Sequence, residues 1–143
     1  MFMGCSKLYT LTLPSTLTTI EDGVFDNCTT LTTITIPKSV ISVGNGVFNL
    51  CKSLTSLNFE TGGTGNLYLG PQFISKCTSL NKLTLPANLT TIDKDALGYH
   101  DDPISIAINA TTVPTLNGAI GGSSDTVFYV PDASLSDYKA ATN

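Results

Sequence analysis

The sequence lacks several residue types that common classes of functional site require. Its 143 residues include no arginine, no tryptophan and one histidine, and only 13% of them are charged. Arginine is the usual bidentate partner of phosphate and carboxylate groups. The net charge of −4 also disfavours binding to the nucleic-acid backbone, which depends on cationic side chains. We therefore expect no nucleic-acid partner.

Long apolar runs are missing as well. No run approaches the roughly 18 apolar residues of a membrane-spanning helix. The start of the chain, Met1–Gly4, has neither the basic nor the apolar region of a signal peptide. The sequence therefore predicts no membrane span and contains no export signal.

What the sequence does contain is an internal repeat of 23 residues. When Cys28–Cys51 is moved back by 23 residues it falls on Cys5–Cys28, with matching residue types at almost every apolar position. Such a period is characteristic of solenoids, whose units bury their apolar faces against one another. We predict that residues 1–108 form an array of about four coils plus a fifth strand, and that residues 109–143 form a C-terminal capping segment.

Each coil repeats one order of elements. An apolar triple such as Leu8, Leu11 and Leu13 leads into a short strand, which Pro14 ends because proline cannot donate to the ladder. A second short strand, a turn that tolerates positive φ such as the one at Gly23, and a Val-Phe corner follow. The predicted fold is a β-rich α/β solenoid of stacked short parallel strands, right-handed, with a C-terminal cap made of a β run and a short helix over 135–141.

The third coil departs from this order. Glu60 stands where the other coils have proline, and 26 residues instead of 23 separate Cys51 from Cys77. The added residues fall in the glycine-rich stretch Thr61–Asn66. Insertions in solenoids form loops and often lie on the binding face. We predict a surface loop here, and favour one without a binding role.

The cysteines occur once per coil, at Cys5, Cys28, Cys51 and Cys77. Coils stacked at strand spacing would bring neighbouring cysteines to about 5 Å from one another. Free cysteine behaves as a small buried apolar residue, so we interpret the set as a structural cysteine ladder. A disulfide between neighbours stays open as an alternative, because adjacent Cα atoms would be within reach.

Groups that support catalysis or metal binding are scarce. His100, beside Asp101 and Asp102, is the nearest approach to a catalytic cluster, but it has no second histidine to pair with and occupies the cysteine position of the repeat. No nucleophile or phosphate-loop motif is present, and zinc sites usually show close pairs such as Cys-x-x-Cys. We predict no enzymatic activity, no metal site and no cofactor.

The outward positions of the strands are more informative. Alternation along each strand places polar residues of successive coils on one exposed face. The candidate ligand-binding residues are Thr10, Thr12, Thr33, Thr35, Ser56, Asn58, Lys82 and Thr84. Solenoids bind partners through extended concave faces, although threonine is also a good strand former on a wet surface. A structural spacer and, more remotely, an ice-binding face are the alternatives, the latter weakened because only the first two coils keep Thr-x-Thr.

The pattern Leu-x-x-Ile-x-Ile-Pro-x-x-Val-x-x-Ile/Val-Gly…Val-Phe-x-x-Cys resembles the leucine-rich repeats of the BspA-like (Treponema pallidum-type) family over residues 1 to about 108. The resemblance implies a non-catalytic leucine-rich-repeat solenoid, exported to the bacterial cell surface and used in adhesion. The implied partner is a protein or glycan on a host or neighbouring cell, and the implied location is extracellular or at the cell surface.

The chain opens within a coil. Phe2 precedes Cys5 by three residues, as Phe25 precedes Cys28, whereas terminal repeats normally carry an atypical capping sequence. We expect residues 1–143 to be the C-terminal part of a longer protein. Self-association through the uncapped first coil is left open.

Overall fold

The protein is a solenoid of about five turns followed by one short helix. The computed structural model describes residues 2–99 and 102–141. In chain order the elements are β1 (Thr10–Thr12), β2 (Thr19–Ile20), β3 (Thr33–Ile36), β4 (Ser42–Val43), β5 (Ser56–Phe59), β6 (Leu67–Leu69), β7 (Lys82–Leu85), β8 (Leu89–Ile92), β9 (Ser105–Ile108), β10 (Thr115–Leu116), β11 (Val127–Tyr129) and α1 (Leu135–Ala141). The predicted solenoid of short parallel strands with a short C-terminal helix is confirmed.

Every strand pair is parallel and joins equivalent positions of successive coils, as in the row Leu11, Ile34 and Leu57. The even-numbered strands form one continuous five-stranded sheet, which we call the back sheet. The odd-numbered strands, on the front face, form two three-stranded sheets, β1-β3-β5 and β7-β9-β11. The front face is therefore interrupted between β5 and β7.

A row of aromatic rings fills the corner of each coil. The ring centroids of Phe2 and Phe25 lie 5.6 Å apart, those of Phe25 and Phe48 5.3 Å apart, and both pairs are stacked nearly parallel. Phe48 then meets Phe73 edge-on at 5.6 Å. Phe25, Phe48 and Phe73 are fully buried, so this phenylalanine row is part of the core that joins the coils.

Turn chemistry explains how each coil closes. The amide of Leu17 donates to the carbonyl of Pro14, and the amide of Val40 donates to that of Pro37, both at 3.0 Å. These bonds reverse the chain directly after a front strand. At the following turn Gly23 has φ 59° and Gly46 φ 60°, a left-handed conformation that costs glycine little.

The cysteines are free thiols that connect one coil to the next. The Sγ of Cys51 donates to the carbonyl of Phe25 at 3.2 Å, and the Sγ of Cys77 donates to that of Phe48 at 3.0 Å. Burial raises the pKa of Cys51 to about 12 and raises that of Cys77 as well. In this structure Cys28, Cys51 and Cys77 are therefore hydrogen-bonded thiols whose pKa values are raised by burial.

The C-terminal segment extends both faces. β10 pairs with β8 on the back sheet and β11 pairs with β9 on the front, while the hydroxyl of Tyr138 on α1 donates to the carbonyl of Ala110 at 2.9 Å. The segment covers β9, but β11 then becomes the outermost front strand, with Phe128 and Tyr129 exposed.

Candidate functional site

The residues predicted to form a binding face all lie on front strands. The pairing of β1, β3 and β5 places Thr10, Thr33 and Ser56 in one row and Thr12, Thr35 and Asn58 in another. All of these side chains, with those of Lys82 and Thr84, are exposed or partly exposed. The break between β5 and β7 divides them into two groups.

The first group of residues lines a shallow depression over coils one and two. It has a volume of about 310 Å³ and is lined by Thr10, Thr12, Thr33 and Thr35, with Glu60 at its edge. The carboxylate of Glu60 accepts a hydrogen bond from the backbone amide of Lys38 at 3.1 Å. Glu60, which stands where the other coils have proline, therefore stabilises the turn that follows Pro37 in coil two.

The second group lines a deeper groove, which we call the β5–β7 groove. Its volume is about 600 Å³. The predicted residues Ser56, Asn58, Lys82 and Thr84 lie in it. The groove is also lined by residues that the sequence analysis did not select, among them Thr55, Phe59, Thr61, Asn81, Asn88 and Asn109.

The groove lies where a row of backbone hydrogen bonds between successive coils is interrupted. The amide of Thr32 donates to the carbonyl of Tyr9 at 2.9 Å, and the amide of Thr55 donates to that of Thr32 at 3.0 Å. Beyond the break the carbonyl of Asn81 accepts a hydrogen bond from the amide of Ser105 at 3.0 Å, the equivalent of the bond from Ser56 to Thr32. The bond that would continue the row, from Asn81 to Thr55, is not formed, and no strand pairing joins β5 to β7 in the described chain. A backbone donor and a backbone acceptor therefore face the groove.

The insertion in coil three forms one wall of the groove. It is packed in place: the side-chain amide of Asn88 donates to the carbonyl of Gly65 at 2.7 Å. A Cβ atom at Gly63 would lie 2.8 Å from that same amide nitrogen and 3.0 Å from the carbonyl oxygen of Lys38. Thr61, Gly62 and Gly63 line the groove, so the loop predicted to have no binding role borders this groove of about 600 Å³.

The electrostatics of the groove rest on one charge. Among the described residues, Lys82 is the only charged one that lines it. Within the described part of the chain Lys82 has no ion-pair partner. The side-chain amide of Asn58 donates to the hydroxyl of Ser56 at 2.9 Å, and the remaining polar lining consists of amides and hydroxyls. The groove can therefore satisfy a ligand with many hydroxyl groups and one or a few negative charges.

The back sheet differs in its chemistry. The hydroxyl of Tyr68 donates to the carboxylate of Asp93 at 2.6 Å. This hydrogen bond is the main reason why the pKa of Tyr68 rises to about 12 and why the pKa of the Asp93 carboxyl falls below its usual value. Tyr68 is thus engaged on the face opposite the candidate binding residues, whereas Tyr9, beside β1, is 62% exposed.

Across residues 2–99 and 102–141, no three histidine, cysteine or acidic side chains gather into a potential metal site. His100 and Asp101, the nearest approach to a catalytic cluster in the sequence, lie outside the described residues. No helix of the described chain has the length and apolarity needed to cross a membrane.

Comparison with known proteins gives two findings. The family model for the BspA-type leucine-rich repeat region matches residues 1–117 in six copies. The crystal structure of a leucine-rich repeat protein from T. pallidum superposes with a TM-score of 0.64 at 20% sequence identity, covering 99% of this chain and 74% of that one. No curated protein gives a significant match. Leucine-rich repeat proteins of this kind are generally non-enzymatic, and their fold serves protein interaction. The family match covers well over half of the sequence, and the chain belongs to the BspA-type leucine-rich repeat family.

Proposed function

We propose that this chain is a non-catalytic binding segment of a surface-exposed bacterial protein, and that it adheres to a protein or glycan through its front face. The observation that carries the proposal is the registered display of uncharged polar side chains on successive front strands, Thr10 beside Thr33 and Thr12 beside Thr35. These side chains take no part in the core, and they lie in two depressions of the front face. Extended solenoid faces of this type bind partners in other repeat proteins.

The composition of the face supports weak binding per coil. Tight interfaces are usually anchored by buried aromatic or arginine side chains. Among the described residues, those that line the first depression include no aromatic side chain, and the β5–β7 groove has the half-buried Phe59. Repetition of the same face along an array raises the overall affinity through multivalency without any new contact.

The cell-surface location is supported by the family, whose members are typically associated with the bacterial surface. The absence of catalysis is supported by the lining of both front-face depressions, in which hydroxyls and amides predominate. Among the described residues that line them, each depression has a single charged one, Glu60 in the first and Lys82 in the second. Neither offers the pairing of a nucleophile with a base that hydrolytic sites require.

The test is a screen of the purified chain against arrays of glycans and extracellular-matrix proteins. A front variant carries lysine at Thr12, Thr35 and Thr84, all of which are exposed on front strands. A matched control variant carries lysine at Thr19, Ser42 and Thr91, the outward positions of the back sheet. Three lysines add the same charge in both variants, so general electrostatic effects cancel.

Binding that the front variant loses and the back variant keeps is the expected result. Equal retention by both variants would remove the front face from consideration. If all three folded proteins bind nothing, the spacer alternative becomes the better account.

A further inference from the structure

We propose that the β5–β7 groove is a binding site for a short acidic saccharide, whose carboxylate pairs with Lys82 while its hydroxyl groups bond to the amides and backbone groups of the groove. This inference rests on the proposed function, since it assigns a ligand class to one part of the same front face. It concerns a site that the repeat pattern alone does not contain, because the groove exists only where coil three departs from that pattern.

The polar groups of the groove suit a ligand with many hydroxyl groups. A saccharide hydroxyl both donates and accepts, and its partners must therefore supply both functions. Side-chain amides do so, and Asn58, Asn81 and Asn109 line the groove. The unbonded amide of Asn81 and carbonyl of Thr55 add a fixed donor and a fixed acceptor.

The charge of the groove favours an acidic ligand. Within the described part of the chain, Lys82 lacks an ion-pair partner and no carboxylate lines the groove. An ammonium group surrounded by neutral hydrogen-bonding groups favours a ligand with a carboxylate over a neutral one. A single lysine without arginine is a poor match for a polyphosphate or a nucleic-acid backbone.

The spacing of β5 and β7 excludes a peptide strand inserted between them. Such a strand would have to pair with both β5 and β7, which would hold them about 9–10 Å apart. Cα atoms of β5 and β7 approach within 8 Å of each other. The groove is therefore open above the strands but too narrow between them for β-augmentation. The half-buried ring of Phe59, 6.3 Å from that of Phe73, provides an apolar patch for the carbon face of a sugar ring.

The experiment is an NMR titration of the ¹⁵N-labelled chain at pH 7 with trigalacturonic acid. The matched ligand control is its trimethyl ester, which has the same shape without the charges, and sodium acetate at equal carboxylate concentration controls for simple anion binding. With the acid we expect saturable chemical-shift changes confined to amides of the groove, including those of Asn58, Asn81 and Asn109. The ester and acetate should cause only small shift changes at the same amides.

Two variants and a control complete the test. We expect Lys82→Gln to weaken binding about three- to fivefold, the size of an exposed charge pair, and Asn81→Ala to weaken it about fivefold through a lost hydrogen bond. Lys52→Gln, an exposed lysine of coil three outside the groove, should leave the affinity unchanged.

Several results would overturn the assignment. They are no saturable shift with the acid, equal affinity for the ester, equal shifts with acetate, or tighter binding of pentaglutamate, which would point to an acidic peptide. None of these would affect the wider proposed function if the array screen still showed binding that depends on Thr12 and Thr35, since both lie outside the groove.

Discussion

The two halves of the front face have the same repeat but different surfaces. Over coils one to three the strands β1, β3 and β5 pair residue by residue, and the threonine rows form a shallow, continuous display. Between coils three and four the same face opens into the β5–β7 groove, although the back sheet continues past it without a gap. One longer coil therefore changes the front while leaving the stack intact.

The back sheet shows how the longer coil is accommodated. Leu67 pairs with Leu89, but Tyr68 pairs with Thr91, so the register shifts by one residue within β6 and β8. A local bulge of this kind absorbs an irregularity without ending the sheet. The phenylalanine row and the thiol ladder also cross the break, since Phe48 contacts Phe73 and Cys77 donates to the carbonyl of Phe48. The difference between the two halves is thus confined to the front.

The largest expected effect is a loss of stability, which should be greater for a ring in the phenylalanine row than for a ring at the groove. Phe48→Ala removes a fully buried ring that lies between two others, and we expect it to lower the free energy of unfolding by about 3–5 kcal/mol. Phe59→Ala removes a half-buried ring at the groove and should cost about 1–2 kcal/mol. Urea denaturation followed by circular dichroism measures both.

Thr35→Ala, on the exposed face of the same coil as Phe48, is the control and should change stability by less than about 0.5 kcal/mol. Equal losses for Phe48→Ala and Phe59→Ala would show that the groove is packed as tightly as the core, and the contrast drawn above would fail.

The next effect tests whether the loop is held in place by close packing. Gly63→Val would push its side chain against the amide of Asn88 and the carbonyl of Lys38. We expect a loss of about 1–3 kcal/mol, typical of overpacking, together with chemical-shift changes at groove residues. Thr64→Val changes an exposed neighbouring residue, and it should alter neither the stability nor the chemical shifts of the groove residues. A neutral Gly63→Val would mean that the loop moves freely and does not define the groove wall.

A smaller effect follows from the buried thiols on either side of coil three. Because burial raises the pKa of Cys51 to about 12, the folded state keeps a proton that the unfolded chain releases near pH 8.5. Between these values the unfolded state binds fewer protons, so the free energy of unfolding falls as pH rises, by up to about 1.4 kcal/mol per pH unit for each such thiol. Below about pH 8 this stabilising term is present in full.

Cys51→Ala should therefore flatten the alkaline fall in stability, measured by urea titrations from pH 8 to pH 11. Cys5→Ala, at a half-exposed position outside the buried part of the ladder, serves as the matched control and should keep the slope of the unmodified chain. An unchanged slope in Cys51→Ala would mean that this thiol ionises in the fold as readily as in water.

The repeat period explains why so much of the fold could be predicted. Each coil must bury its apolar positions against the next, so Leu8, Leu31 and Leu54 occupy equivalent places whatever lies between them. The registers of β1, β3 and β5 and the bounds of α1 follow from such local rules. The site was predictable only in part. Alternation along the strands determines which eight residues point outward, but it does not determine the depth of the groove between β5 and β7.

The groove could not be predicted because it depends on a bond that fails to form. Asn81 follows Thr32 and Thr55 in the repeat, and the sequence alone does not reveal that its amide lacks the partner which theirs have. The sequence indicated only that coil three departs from the repeat, through Glu60 in place of proline and through the three added residues. Their consequence for β7 depends on how the loop packs on Asn88, which is a tertiary contact.

The smallest expected effect tests that missing bond directly. The amide of Thr55 donates to the carbonyl of Thr32, whereas the amide of Asn81, one coil further on, has no acceptor within the described chain. An amide that is hydrogen-bonded within a sheet exchanges its proton only through local opening, and a bond of about 1.4 kcal/mol corresponds to a tenfold slower rate. We expect the Asn81 amide to exchange at least about tenfold faster than that of Thr55 after correction for intrinsic rates, as measured by NMR in deuterated buffer. The amide of Ser105, which donates across the next pair of coils, is the internal control and should resemble Thr55. If Asn81 were protected as strongly as both neighbours, β5 and β7 would be paired in solution, and the front face would be one continuous platform with no groove to bind a saccharide.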